Sequence, residues 1–206
     1  YTRGRAIMPR LIPAFQRQYP NVEITLLEGS NDAIQKALLS GGIDLAIAGF
    51  PHPLPGVVLE DYYLEHIVLC LSDGLLAQCG IDLDTHRGEI AAGNLSSLRG
   101  CPFVLGSAED IGRGLLRSSG VSPVSKATSE NVETLLALCE QGVGACFCPE
   151  NLLHTALSPE QLAHLHILPL CPEASYPICF GYLSRSYPWS VLSEFIRIAR
   201  EQIRSA

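Results

Sequence analysis

The chain has 206 residues, of which 47% are hydrophobic and 17% are charged, and its formal net charge is -7. This length suits one large or two small domains, and this composition predicts a well-filled core rather than a disordered chain. Because phosphate contacts need clustered positive charge and the sequence has no basic run, nucleic-acid binding by this stretch alone is disfavoured.

The apolar segments are shorter than the roughly 18 residues of a membrane span, and the opening lacks a signal-peptide core. We therefore expect a soluble, cytoplasmic protein with no membrane partner.

The eight cysteines do not suggest a disulfide scaffold, because they are diluted over a chain of this length. Four of them lie inside apolar, strand-like runs and are predicted to be small buried hydrophobic residues: Cys70, Cys146, Cys148 and Cys179. No two cysteines have the C-x-x-C spacing of a zinc site, so we predict no metal ligands.

The first predicted element is a helix, whose apolar residues recur at helical spacing up to Phe15. A strand, helix, strand unit follows over residues 19–50. Apolar and polar residues alternate over 22–27, as in a half-buried strand, and Ser30 can begin the next helix. The run at 43–48 is apolar apart from one aspartate, which is typical of a parallel strand covered on both faces.

The rest of the chain continues the alternation of strands and helices. Residues 73–100 are predicted to be loop, with a short helical turn at Ser96. Thr128 or Ser129 is predicted to cap a helix over 131–140. Further strands are predicted at 57–61, 65–72, 101–106, 124–127, 145–148, 167–170 and 178–183. This order predicts an α/β fold with two right-handed, mostly parallel sheets.

Two stretches resemble the effector-binding domain of LysR-type transcriptional regulators. The first is the opening helix with Pro9, Leu11, Pro13 and Phe15, followed by YPNVEITLLEGSNDAIQKALLSGGIDLAIAG. The second is LCEQGVGACFCPENLL, a helix, a Gly-x-Gly, a buried strand and a proline. The order and spacing of these elements carry the resemblance, since each alone is weak.

The resemblance implies two Rossmann-like subdomains joined by two crossing strands, a fold like that of type 2 periplasmic binding proteins. Subdomain I would comprise residues 1–72 and 181–206, and subdomain II residues 73–180. In the family a short strand precedes the first helix, and a winged helix-turn-helix that binds DNA lies further upstream. Neither is found in this chain, so we expect either that the native polypeptide begins upstream of Tyr1 or that residues are missing from the sequence.

Ligands of such folds bind in the cleft between subdomains, where strand ends and helix amino termini face each other. Thr2 and Arg3 precede the first helix, and Thr128 and Ser129 precede a later one, so free amides there favour an anion. The resemblance implies effector binding at these same positions. The alternative for Thr128 is a plain helix cap.

Phe50 and Ser107 follow predicted strand ends and are also expected to line the cleft. Their alternatives are a packing aromatic and an ordinary cap. Arg113 could provide a charge partner for an anion, but a solvated arginine is the favoured interpretation.

Catalytic interpretations find little support. Asp82 and Asp84 beside His86, and the pair His164 and His166, are interpreted as solvated polar groups. No G-x-S-x-G, Walker or dinucleotide-binding glycine motif occurs, so we predict no catalytic residue and no cofactor.

The sequence therefore predicts the ligand-sensing domain of a LysR-type regulator. A small, anionic effector would shift a conformational equilibrium, and the full-length protein would act as a homodimer or tetramer that binds DNA through its absent domain. The alternative is a stand-alone solute-binding protein of the same fold that serves a transporter.

Overall fold

The computed structural model describes residues 2–106, 110–184 and 190–204 of the chain. In these ranges the helices are α1 (Thr2–Gln16), α2 (Asn31–Leu39), α3 (Asp73–Cys79), α4 (Leu83–Ala91), α5 (Ile111–Ser118), α6 (Val132–Glu140), α7 (Leu153–Ala156), α8 (Pro159–Leu162) and α9 (Ser190–Arg204). The strands are β1 (Ala46–Gly49), β2 (Val57–Ser72), β3 (Pro102–Leu105), β4 (Val124–Thr128), β5 (Cys146–Pro149), β6 (Leu165–Pro169) and β7 (Ser175–Leu183).

The chain divides into two compact units. Unit 1 contains residues 3–64 and 177–206, and unit 2 contains residues 65–176 together with Thr2. Both changes of unit fall inside a strand, one in β2 and one in β7, so these two strands connect the units. The limits proposed from the sequence, 72 and 181, lie further along the same strands, and that division stays a prediction.

In unit 1, α1 forms although it contains Pro9 and Pro13. Each proline removes one backbone hydrogen bond from the helix, but both are exposed, so water can satisfy the freed carbonyls. The opposite face of α1 is buried through Leu11 and Phe15, which pack with Phe180 and residues of α9 in one core cluster. The apolar face therefore holds the helix in place despite its prolines.

The first predicted strand of unit 1 is not confirmed. Residues 22–29 lie outside every helix and ladder in the described part of the chain. Val22 and Ile24 nevertheless point to the core cluster of unit 1, while Glu23 and Thr25 are exposed. The predicted alternation thus holds for residues 22–25 but not for Leu26, which is exposed, and the segment has no paired neighbour among the described residues.

The strand pairing in both units corrects the expectation of mostly parallel sheets. β2 pairs antiparallel with both β5 and β6, and β1 of unit 1 pairs antiparallel with β7. Among the ladders of the described residues, β3 and β4 are parallel, and Phe103 also forms an isolated parallel bridge with Ala145. The period of a strand shows which residues are buried but not the direction of its neighbour, which explains the error.

Successive residues of β2 face two different cores in unit 2. Leu69 and Leu71 belong to one buried cluster, and Val68 and Cys70 belong to the other. Both faces of this strand are covered, which explains its nearly continuous apolar run. The cysteines predicted to be buried, Cys70, Cys146, Cys148 and Cys179, are confirmed as buried free thiols.

The predicted loop over 73–100 is wrong, because it contains α3 and α4. The predicted helical turn at Ser96 is confirmed as a short 3-10 helix at Ser96–Leu98. Ser72 caps α3 by accepting from the amide of Leu75, and Asp82 caps α4 by accepting from the amide of Asp84. The hydroxyl of Thr85 also donates to Asp82 and holds the pKa of that carboxyl below its ordinary value. The aspartate interpreted as a solvated group is therefore a cap. None of the described helices is long and apolar enough to cross a membrane.

Candidate functional site

In unit 2, the parallel strands β3 and β4 end side by side. Leu105 is paired with Thr128, and the amide of Ser129 donates to the carbonyl of Leu105 at 3.1 Å. Thr128 is exposed and Ser129 is half-buried at this edge. Ligands of open α/β sheets bind beyond the carboxyl ends of parallel strands. The edge formed by the carboxyl ends of β3 and β4 is therefore the candidate binding site in unit 2.

The helix that starts at this edge is capped by a residue other than the predicted ones. Asn131 is the N-cap of α6 and accepts from the amide of Glu133 at 2.9 Å. The hydroxyl of Ser129 accepts from the amide of Asn131 at 3.1 Å and so orders the turn before the helix. The prediction that Thr128 or Ser129 caps α6 is wrong, because the chain makes this extra turn first.

Arg113 of α5 lies at the same edge. Asp110, the N-cap of α5, accepts from the backbone amide of Arg113 at 2.8 Å. The guanidinium Nη2 of Arg113 donates to the carbonyl of Gly106, the residue after β3, at 2.7 Å. Its Nε is buried and has no hydrogen-bond partner among the described residues. The interpretation of Arg113 as a solvated side chain is therefore wrong.

Sequence reasoning considered Arg113 but favoured a solvated side chain, and it placed Asn131 inside the helix rather than at its cap, although a local signal existed for each. An aspartate three residues before Arg113 is a strong N-cap residue, and it places the arginine in the first turn of α5. Asn131 is also a preferred cap and directly precedes the apolar stripe of α6.

This edge combines groups that suit a small anion. A guanidinium, a threonine hydroxyl and the amino end of α6 all favour negative charge. Asp110 provides an opposing charge, which limits the room for a highly charged ligand. Within the described ranges, no three His, Cys, Asp or Glu side chains are arranged to hold a metal ion.

Helix α1 begins at Thr2, and its amino end already faces a carboxylate of the chain itself. A Cβ added to Gly4 would collide with the carboxylate oxygen of Glu28, so this side chain lies against the first turn of α1. Arg3, half-buried in this turn, lines a groove in unit 1. An external anion at Thr2 and Arg3 would therefore have to compete with Glu28.

Phe50 and Ser107 were also predicted to line the binding site. The ring of Phe50 lies against Gly181 of β7, where an added Cβ would come within 2.6 Å of the ring atom Cζ. This contact agrees with the alternative of a packing aromatic, and the ring is still partly exposed. Ser107 lies outside the described residues.

The fold, two units joined by two strands with a parallel strand pair ending at a polar edge, is that of type 2 periplasmic-binding-protein-like sensor domains. The profile of the LysR substrate binding domain family matches residues 2–204, and the chain belongs to this family.

Curated relatives and solved structures agree with this assignment. The chain is 23% identical over 214 residues to the HTH-type transcriptional regulator YcgK of Bacillus subtilis, covering 98% of this chain and 64% of that protein. It is 26% identical over 163 residues to the HTH-type transcriptional regulator IlvY of Escherichia coli, covering 77% of this chain and 52% of that protein. The fold is similar to that of the BenM effector binding domain with its effector benzoate, at a TM-score of 0.72, 18% identity, and coverage of 97% and 86%. The chain thus spans between half and two thirds of the length of these curated relatives.

Proposed function

We propose that the chain is the ligand-sensing part of a longer transcriptional regulator and that it binds a small anionic effector. The observation that carries this proposal is the edge at the ends of β3 and β4, where Arg113, Thr128 and the amino end of α6 come together. Benzoate, the effector of the similar BenM domain, is also a small carboxylate, which supports this choice of ligand class.

The effector would act by binding one conformation of the protein better than another and so changing its population. The residues proposed to contact it are those predicted from the sequence: Thr2, Arg3, Phe50, Ser107, Thr128 and Ser129. Because the effector changes an equilibrium and not a covalent bond, no catalytic residue is needed, and we propose that the chain is not an enzyme.

The full-length protein is proposed to bind DNA through a separate helix-turn-helix part, and the similarity to the HTH-type regulators YcgK and IlvY supports this proposal. A cytoplasmic location follows from that role. The rival function, a solute-binding protein for a transporter, is not favoured, because these relatives are transcriptional regulators.

We also propose that copies of the chain pair through α1, giving a homodimer or tetramer. The apolar Ile7, Met8 and Ile12 remain only half-buried on this helix. Sedimentation at micromolar concentration should show a dimer, and a monomer would contradict this part of the proposal.

A thermal-shift screen against small aromatic and aliphatic monocarboxylates tests the sensing function. At least one acid should raise the melting temperature in a concentration-dependent way. Thr128→Ala should then weaken binding of that acid about tenfold or more, since a hydrogen bond to a charged group contributes about 1.5–3 kcal/mol.

Ser125→Ala is the matched control, because Ser125 is exposed on the same strand but lies before its carboxyl end. It should leave binding unchanged. Equal effects of the two variants would overturn the assignment of this edge, and a screen in which no anion stabilises the chain would overturn the proposed ligand class.

A further inference from the structure

Asp110 places a negative charge at the end of β3, inside the candidate edge of unit 2. Its side chain is exposed, and its Oδ1 accepts from the backbone amide of Arg113 at 2.8 Å. A Cβ added to Gly106, the residue that follows β3, would lie 3.2 Å from the Oδ2 of Asp110. The carboxylate therefore lies against the carboxyl end of this strand.

The guanidinium of Arg113 reaches the same strand end. Its Nη2 donates to the carbonyl of Gly106 at 2.7 Å, while Asp110 lies on the other side of that residue. The charge of Asp110 also offsets the partial positive charge at the amino end of α5. An anion that approaches Arg113 thus meets one positive and one negative side chain at the same place.

Further acidic side chains lie at this edge of unit 2. Glu133 is half-buried in the first turn of α6, and the exposed Glu130 comes just before that helix. An isolated bridge aligns β5 parallel to β3, so the carboxyl end of β5 lies at the same edge, and the exposed Glu150 directly follows it. These carboxylates add to the repulsion that a bound anion feels from Asp110.

This repulsion grows with the charge of the ligand. Arg113 can pair with one carboxylate by two parallel hydrogen bonds, and that contact is the same for an acid with one carboxylate or with two. A second carboxylate about doubles the repulsion from Asp110, because the Coulomb energy is proportional to the charge of the ligand. The edge therefore favours a ligand with a single negative charge.

We propose that Asp110 selects the charge of the effector, so that the site binds a monoanion and rejects a dianion of the same shape. The inference rests on the proposed function, because it concerns the same edge and the same anion. Capping of α5 alone does not need the charge of Asp110, since asparagine is an equally good N-cap. Asp110→Asn therefore separates the two roles, and its urea midpoint should stay close to that of the wild type.

Isothermal titration with pairs of acids of equal shape measures this selection. Succinamate is succinate with one carboxylate replaced by an amide, and 4-carbamoylbenzoate is related to terephthalate in the same way. The wild type should bind the monoanion of each pair more tightly than the dianion. Asp110→Asn should reduce this preference about threefold to tenfold, as expected for one charge pair about 6–8 Å apart near a protein surface.

Asp82→Asn is the matched control, because Asp82 is another exposed N-cap aspartate of unit 2. Helix α4, which it caps, comes after the carboxyl end of β2, and β2 runs antiparallel to β5, so that end lies at the opposite edge of the sheet. Asp82→Asn should leave the preference for the monoanion unchanged.

Salt provides a readout that capping alone would not give. Raising the salt concentration from about 0.05 M to about 0.5 M should reduce the preference more in the wild type than in Asp110→Asn, because added ions screen the charge of Asp110. An equal reduction in both proteins would contradict the proposal.

Two further results would overturn the inference. One is a preference that Asp110→Asn leaves unchanged, and the other is a wild type that binds the dianion of a pair more tightly. If no acid binds, in the thermal-shift screen or in these titrations, the proposed function fails and the inference fails with it. Binding with an unchanged preference overturns the inference alone, so the two failures are distinguishable.

Discussion

Two glycines of α5 provide a paired test of how tightly this helix packs beside the candidate site. Gly112 is buried, and a Cβ there would overlap the ring of Phe147. That ring is 8% exposed and stacks on Phe103 with centroids 6.0 Å apart, so it has little room to move away. Gly114, two residues further on, has no atom within 4 Å of the added Cβ position.

The expected free energies of unfolding follow from these contacts. Replacing glycine by alanine inside a helix gains about 0.5–1 kcal/mol, and Gly114→Ala should show this gain in full. Gly112→Ala has the same gain but overpacks the core, which costs about 1–3 kcal/mol, so we expect a net loss of up to about 2.5 kcal/mol. In a chain of this size each kcal/mol shifts the melting temperature by about 2–4 °C.

Urea unfolding followed by circular dichroism measures both variants against the wild type. The urea concentration at the unfolding midpoint should rise for Gly114→Ala and fall for Gly112→Ala. The dependence of the unfolding free energy on urea concentration should be similar in all three proteins. If Gly112→Ala is as stable as Gly114→Ala, α5 does not pack against Phe147 as described, and the position of Arg113 on the same helix loses its support.

Three further predictions concern single side chains. Asn131→Ala should lower the free energy of unfolding by about 1 kcal/mol, as expected for a lost N-cap, whereas Thr128→Ala should lower it by less than about 0.5 kcal/mol. Urea unfolding measures both variants, and equal losses would contradict the assignment of Asn131 as the cap. A hydrogen bond from the hydroxyl of Tyr182, and to a lesser degree the contact with Arg200, hold the pKa of Glu60 below its ordinary value of 4.5. The ionised Glu60 therefore stabilises the fold above pH 4.5, and this contribution is lost as the pH falls below 4.5 through the lowered pKa. Acid unfolding should therefore destabilise the wild type more than Glu60→Gln, and parallel curves would refute the contact. Burial raises the pKa of Tyr62 from 10.0 to about 12, so stability should fall between these pH values as the unfolded chain ionises. Tyr62→Phe should reduce that fall, and an unchanged alkaline unfolding profile would count against its burial.

Features that depend on a local repeat could be predicted from the sequence. Leu135, Leu136 and Cys139 recur at helical spacing, and all three are buried in α6. The apolar run that ends at Ser72 was predicted to be a buried strand, and β2 is one. In both cases the residues that decide the structure are neighbours along the chain.

Features that depend on distant segments could not be predicted in this way. The antiparallel direction of β5 beside β2 depends on the path of the chain between them, which no short pattern records. Helix α4 was missed because it buries little more than Leu83 and Ile90, so its apolar stripe is too sparse to stand out from loop sequence.

Local patterns also predicted part of the geometry around the candidate site, while the site itself stays a prediction. Thr128 and Ser129 do lie at a strand end, since the short strand and the following helix are both local patterns. The role of Arg113 depends on its guanidinium reaching the carbonyl of Gly106, a contact that exists only after β3 and α5 have packed together.

The central proposal is that one small anion is bound by the predicted site residues, which include Arg3 and Thr128. Isothermal titration of the best monocarboxylate from the screen into the wild type, Arg3→Ala and Thr128→Ala tests it most directly. We expect each variant to raise the dissociation constant about tenfold or more, because each removes a hydrogen bond or a charge that contributes about 1.4 kcal/mol or more. If either variant binds the acid as tightly as the wild type does, that residue takes no part in binding the effector, and the proposed site is contradicted.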